Sequence, residues 1–236
     1  MNVFFQMRKE RKMAQVNVYF IRHGLTYYNS IGCCCGRTDA LVCEEGRKEL
    51  IKLRDNYEYP KVEQVYTSPA IRCRETADVF FPNQNQEVVY GFWELDFGEF
   101  EKQPMASING MEAYDKWLRQ DLDCRFPGGE TLLEARFRVQ SAMTRIVTDC
   151  IEKGYSEIAI VAHGEILSLL MSACLVTTEP REAFMLCPNG MGYAAVLNTD
   201  TWFEEQKMNF NGYIPEGAPR LKPEDSPYFV KNEKNA

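Results

Sequence analysis

The sequence predicts an α/β fold, a mostly parallel central sheet flanked by helices in three layers, with a helical capping insertion. Two apolar runs, VNVYFIRHG (16–24) and SEIAIVAHG (156–164), repeat one design: a β-rich stretch that ends in His-Gly. Runs that stay apolar at successive positions suit strands covered on both faces, as in parallel sheets between layers of helix. Helical patterns alternate with these strands, and that alternation implies a doubly wound sheet.

Taken in chain order, KVEQVYTS (61–68) and QEVVY (86–90) add two weaker strands. Between them Ser68-Pro69 predicts a helix opening, with serine as N-cap and proline at the first helical position. That helix is expected to run to about Phe80, before Pro82. Residues 91–129 mix short helical stretches with a Pro-Gly-Gly break and are expected to cap the active edge of the sheet. Over 130–153, Leu132, Leu133, Val139, Met143, Ile146, Val147, Cys150 and Ile151 recur near helical spacing, and Gly154 is placed to end that helix. A further helix is expected over 165–175. GYAAVLNTD and TWFEEQKMNF predict a hairpin turning near Asp200. Residues 1–236 read as one domain, with 1–14 and 212–236 as peripheral extensions.

Bulk properties narrow the function. A chain of 236 residues buries enough surface to need no disulfide or metal staple. Its net charge of −7 speaks against a nucleic-acid binder, which carries a basic field. No window reaches the ~18 consecutive apolar residues of a membrane span. The start, MNVFFQMRKERKMAQ, lacks the apolar core of a secretory signal, so the expected address is cytoplasmic. Nine cysteines in such a chain predict free thiols, many of them buried. The run Cys33-Cys34-Cys35 lacks metal-site spacing, because adjacent side chains of an extended chain point opposite ways. Its place near the presumed pocket mouth predicts a part in specificity or in sensing oxidation.

The chemistry centres on the two histidines, His23 and His163. Both stand at the carboxyl end of a strand-like run, where open α/β sheets bind ligands. Gly24 and Gly164 follow them and let backbone pass close to a ligand. Arg22 ends a strand that is otherwise apolar, and a buried guanidinium is costly without an anionic partner. Arg72 falls in the first turn of the helix after Ser68-Pro69, against the helix dipole unless an anion binds there. Arg74 competes for that role on spacing alone.

Several segments carry a family resemblance. Arg22-His23-Gly24-Leu25-Thr26 with Asn29 resembles the R-H-G-x-T-x-x-N signature of the histidine phosphatase superfamily, also called phosphoglycerate mutase-like. Residues 68–77 (SPAIRCRETA) resemble its S-P-x-x-R-x-x-x-T-A segment. Residues 94–101 (ELDFGEFE) resemble E-x-x-F-G-x-W-E, and Val161-Ala162-His163-Gly164 its second histidine motif. The segments stand in the family's order and span 16 to about 200. The resemblance implies a catalytic set of His23, Glu94, Arg22, Arg72 and His163. It assigns Arg72 over Arg74 to phosphate, and Glu94 over Glu99 or Glu101 to proton transfer. It also implies no metal and no cofactor. Arg22, Asn29, Arg72, His163 and Gly164 are the implied phosphate-binding set, with an ordinary turn role the alternative for Asn29.

His23 is then expected to attack phosphorus while Arg22, Arg72 and His163 hold the equatorial oxygens. Glu94 would protonate the leaving alkoxide and later activate water. Trp93, Leu95 and Phe97 flank it and are expected to raise its pKa by desolvation. Within the family, Cys35-Gly36-Arg37-Thr38-Asp39 and Phe126-Pro127-Gly128-Gly129-Glu130-Thr131 are similar to stretches of alpha-ribazole phosphatases and broad-specificity phosphatases. Ile166-Leu167-Ser168 stands where an arginine is common, which favours hydrolysis over mutase transfer. The expected partner is a small phosphorylated metabolite, not a nucleic acid or a membrane. The rival readings are a phosphoglycerate-type mutase and a non-catalytic phosphate-binding module.

Overall fold

A computed structural model describes residues 15–179, 184 and 187–220. Seven strands form one sheet: β1 Gln15–Arg22, β2 Gln64–Thr67, β3 Gln86–Val88, β4 Glu157–Ala162, β5 Leu175–Val176, β6 Gly192–Asn198 and β7 Met208–Ile214. Their order across the sheet is β3-β2-β4-β1-β6-β7-β5. The strands β3, β2, β4 and β1 run parallel. β6 is antiparallel to both β1 and β7, and β5 is parallel to β7.

Four longer helices flank this sheet: α1 Glu44–Asn56, α2 Ile71–Phe80, α3 Leu132–Lys153 and α4 Gly164–Cys174. The strands show why helices cover both faces. In β1, Val18 and Phe20 enter one apolar cluster, shared with α3, α4 and the 92–126 segment. Ile21, together with partly buried Tyr19, enters a second cluster, with Leu50 of α1 and Cys73, Ala77 and Phe80 of α2. β4 divides likewise, Ile158 and Ile160 to one side and Ala159 and Val161 to the other. A strand buried on both faces has no polar alternation, and this accounts for the continuous apolar runs.

α3 carries its own boundary signals. Thr131 is its N-cap, and Glu134 returns the bond to the Thr131 backbone in a reciprocal capping box. Gly154 ends it at φ 77°, in the left-handed region that favours glycine.

Three sequence expectations are corrected. α2 begins at Ile71 with Ala70 as cap, and Ala70 makes no side-chain capping bond. The first-turn N–H of Ile71 is instead satisfied 2.8 Å away by Asp39 Oδ1. The acceptor comes from a distant loop, and Ser68 is taken up elsewhere. β6 and β7 pair as expected, but TWFEEQK is not strand. A helical turn, Trp202–Glu205, buries Trp202 completely, and β7 starts only at Met208. Finally, 212–214 is not peripheral, since it completes β7. Of the remaining expected extensions, 1–14 and 215–236, residues 1–14 and 221–236 lie outside the described residues.

Candidate active site

The register of the two central strands builds the site. Arg22 pairs with Ala162 across β1 and β4, so the next residue of each strand leaves the sheet at the same edge. Those residues are His23 and His163. Their rings are edge-to-face with centroids 5.1 Å apart. His23 is 3% exposed and His163 fully buried.

His23 Nδ1 lies 2.7 Å from the Gly24 carbonyl. A carbonyl only accepts, so Nδ1 carries the proton and the lone pair of a neutral ring sits on Nε2. Burial, then the charges of Arg72 and Arg22, push His23 well below the ordinary histidine range, against the opposing pull of the Gly24 bond. Asn189 Nδ2 donates to the His23 carbonyl at 2.7 Å. Gly24 N donates to Thr76 Oγ1 at 2.8 Å, and that hydroxyl donates to the Arg72 carbonyl at 2.6 Å. Gly24 is glycine because α1 packs there: an added Cβ would lie 2.6 Å from Leu50 Cδ1.

His163 is the N-cap residue of α4, and its Nε2 lies 2.7 Å from Ser68 Oγ. Burial and the charge of Arg72 also hold this imidazole well below its usual range. Ser68 is completely buried. The sequence points to Ser68 as a helix cap, yet here it orients the second histidine.

Both arginines converge on this point. Arg22 donates through Nη1 to the Cys187 carbonyl at 2.7 Å, while its buried Nε lacks a partner. Gly164 leaves it room, since a Cβ there would stand 3.3 Å from that Nε. Arg72 is fully buried, donates to the carbonyls of Thr38 and Gly36 at 2.8 Å each, and also leaves Nε without a partner. Buried donors without partners are uncommon, and two beside a pair of neutral imidazoles suit a compact anion. Among the described residues neither arginine forms an ion pair with a carboxylate of the chain.

Glu94 completes the cluster. It is 6% exposed, and burial raises it to about 7, with Glu165 adding to the rise. Bonds from Leu95 N at 2.8 Å and Glu165 N at 3.4 Å, with the charge of Arg72, pull the other way. Its segment is clamped by Arg138, which donates to the carbonyls of Gly91 and Trp93 at 2.8 Å each. Glu130 pairs with Arg138 and accepts from Asp96 N at 3.0 Å.

Asn29 closes its own loop, its Oδ1 accepting from Thr26 N at 3.3 Å in a reciprocal capping box, which is the turn role weighed above; the cap uses Oδ1 alone, so the phosphate role implied for its amide stays an expectation. One expectation changes. Cys33, Cys34 and Cys35 are buried at 5%, 1% and 8% exposure, so they are not side chains at an open mouth. Burial raises the Cys34 thiol to about 12, which leaves it protonated and poorly reactive. What this run offers the site is backbone: the Cys35 carbonyl lies 3.4 Å from Arg72 Nη2.

A sheet edge that gathers two neutral imidazoles, two guanidinium groups and a protonatable carboxyl is the arrangement of an enzyme that handles compact anions. The chain belongs to the histidine phosphatase superfamily (branch 1), whose family model matches residues 18–204. It is 28% identical over 219 residues to the probable phosphoglycerate mutase GpmB of Salmonella typhi, covering 90% of this chain and 96% of that one. Among solved structures it is similar to the alpha-ribazole phosphatase of Shigella flexneri, at TM-score 0.66 and 20% identity over 84% of this chain and 95% of that one. It is also similar to a mycobacterial glucosyl-3-phosphoglycerate phosphatase, at TM-score 0.68 and 19% identity over 85% and 98%. These two likenesses establish the shared fold. No helix among the described residues is long and apolar enough to cross a membrane.

Proposed function

We propose that this enzyme is a phosphomonoester hydrolase that passes the phosphoryl group through Nε2 of His23. The observation that carries the reading is the pinned tautomer: Nδ1–H bonded to Gly24 leaves the lone pair on Nε2 of a ring that feels the charges of both Arg72 and Arg22. In the first step, Nε2 bonds to phosphorus as the ester oxygen departs with a proton from Glu94. In the second, the Glu94 carboxylate takes a proton from water, which attacks phosphorus and frees His23 with release of phosphate. Arg22, Arg72 and the donor from His163 carry the charge of the equatorial oxygens, the work that Mg²⁺ does in other phosphoryl-transfer enzymes.

Hydrolysis is favoured over mutase transfer by the residues after His163. Ile166 and Leu167 are fully buried and Ser168 is 2% exposed, so this turn presents no cation to a second anionic group. The substrate class is a small phosphorylated metabolite, with alpha-ribazole phosphate one candidate from the sequence resemblance and from the structural likeness to an alpha-ribazole phosphatase. The stretches behind that resemblance are scaffold in this fold. Residues 35–38 hold Arg72, and Pro127 O accepts from Glu99 N at 2.8 Å. They therefore bear little on which ester fits.

The test is turnover of p-nitrophenyl phosphate in EDTA by the wild type and His23→Ala. The reading expects sustained wild-type activity and background for the variant. A clean wild-type preparation with no turnover would favour a phosphate-binding module. A bisphosphate-dependent interconversion of phosphoglycerates would favour a mutase.

A further inference from the structure

Arg72 is a completely buried cation whose nitrogens meet only main-chain carbonyls of a short loop, and the shape of that loop needs a cause. Nη2 reaches Gly36 O at 2.8 Å and Cys35 O at 3.4 Å, and Nη1 reaches Thr38 O at 2.8 Å. In a trans peptide the carbonyl and the next N–H point opposite ways, so turning the Cys35 and Gly36 carbonyls inward turns the Gly36 and Arg37 N–H groups outward. They turn onto one carboxylate. Glu101 accepts from Gly36 N at 3.2 Å, Arg37 N at 2.8 Å and Thr38 N at 3.3 Å, and from Thr38 Oγ1 at 2.7 Å. Successive N–H groups that close on an anion form a nest, here with an internal carboxylate as the anion.

The surrounding chain fixes this clamp. A Cβ on Gly36 would fall 2.0 Å from Leu95 O and 2.5 Å from Glu101 Oε1, so only glycine permits this approach. After Glu101 the chain turns through Lys102 at φ 63°, an uncommon conformation for a residue with a side chain. Cys34 secures that turn by accepting from Lys102 N at 2.9 Å and donating to Gln103 O at 3.0 Å.

We infer that Glu101 is a positioning residue that holds the 35–38 loop as the cradle of the Arg72 guanidinium and so sets the affinity of the site for the phosphoryl group. The Glu101 side chain bonds Gly36, Arg37 and Thr38 and not His23, so it acts through the loop that holds Arg72. One segment, 94–101, thus supplies the proton-carrying carboxyl at its start and the clamp on the phosphate-binding arginine at its end. The chemistry attached to Arg72 rests on the phosphohistidine reading above, whereas the clamp itself is open to a binding measurement.

Binding of orthovanadate, a phosphate mimic, is measured by calorimetry for wild type, Glu101→Gln, Thr38→Val, Arg72→Ala and Glu101→Gln/Arg72→Ala. Glu101→Gln is expected to weaken vanadate by about tenfold or more, the scale of bonds to a charged group. Thr38→Val keeps the carboxylate and the side-chain shape, so it is expected to weaken binding in the same direction but less, even if Glu101→Gln folds poorly. In the Arg72→Ala background the Glu101 substitution is expected to add almost nothing. The acid limb of kcat/KM for Glu101→Gln should move to higher pH, because a displaced Arg72 no longer opposes protonation of His23. Unchanged vanadate affinity in Glu101→Gln and Thr38→Val, or full additivity with Arg72→Ala, would overturn the inference. Turnover that survives His23→Ala while Glu101→Gln still weakens vanadate would overturn the phosphohistidine reading and leave the clamp standing.

Discussion

At residue scale, the site depends on holding two groups away from their usual charge. His23 stays neutral well below pH 6.5 because burial, Arg72 and Arg22 all oppose its protonation. Glu94 keeps its proton up to about 7 because it is buried. The first chemical step wants both at once, a neutral base and a protonated acid. For an alkyl phosphate we expect kcat/KM to fall as pH rises through about 7. An aryl phosphate, whose leaving group needs no proton, should keep more of its rate once each profile is corrected for the ionisation of its own phosphate, which is the more acidic in the aryl ester. Profiles that superimpose would remove the acid role from Glu94. Glu94→Gln is expected to cost the alkyl ester about 10² to 10⁴ in kcat/KM, which covers only the step that forms the phosphohistidine. The aryl ester should lose markedly less in kcat/KM, and equal losses there would contradict the acid assignment. Of these residues, His23 and His163 were legible from paired strand-His-Gly runs alone. Glu94 was not, since a carboxylate in an acidic stretch reads as surface until its burial is known, and only the family resemblance separated it from Glu99 and Glu101. Ser68, Thr76, Asn189 and Glu101 could not be read from local pattern, because their partners stand 52 to 166 residues away.

At the scale of elements, legibility followed whether the signal was local. β1, β4 and α3 were readable because burial on two faces and a capping box are written in contiguous residues. The start of α2 was not, because its first N–H is satisfied by Asp39, 32 residues earlier. The turn at Trp202 was missed for a similar reason: burying that indole against the core outweighs the strand tendency of its neighbours. The local signal of α3 gives its own prediction. Thr131→Ala is expected to destabilise the protein by about 1 kcal/mol, read as a lower urea midpoint at constant slope. The capping bonds stand apart from the histidine pair, so kcat per folded molecule should be unchanged. A midpoint equal to wild type would show that the cap contributes nothing measurable.

For the whole molecule, the catalytic carboxyl is a stability liability with a defined sign. The folded pKa of Glu94 lies above that of an exposed carboxyl, so the folded state holds the proton more tightly than the unfolded chain. The penalty is absent at pH values below the unfolded pKa, grows as pH rises toward 7, and is complete above that. At about 1.4 kcal/mol per pKa unit it reaches a few kcal/mol. Glu94→Gln is therefore expected to be more stable than wild type at pH 8, with the advantage shrinking toward pH 5, by denaturation at several pH values. A pH-independent difference would show that Glu94 is ionised in the fold throughout. The sheet register that places His23 beside His163 brings this costly carboxyl and the two arginines into use together, and the account rests on His23 taking the phosphoryl group. Rapid quench with labelled aryl phosphate, followed by peptide mapping, tests that directly. We predict an acid-labile, base-stable label on the peptide containing His23, formed and lost at rates that match turnover and absent from His23→Ala. Turnover without such a label, or a label on another residue, would contradict the account.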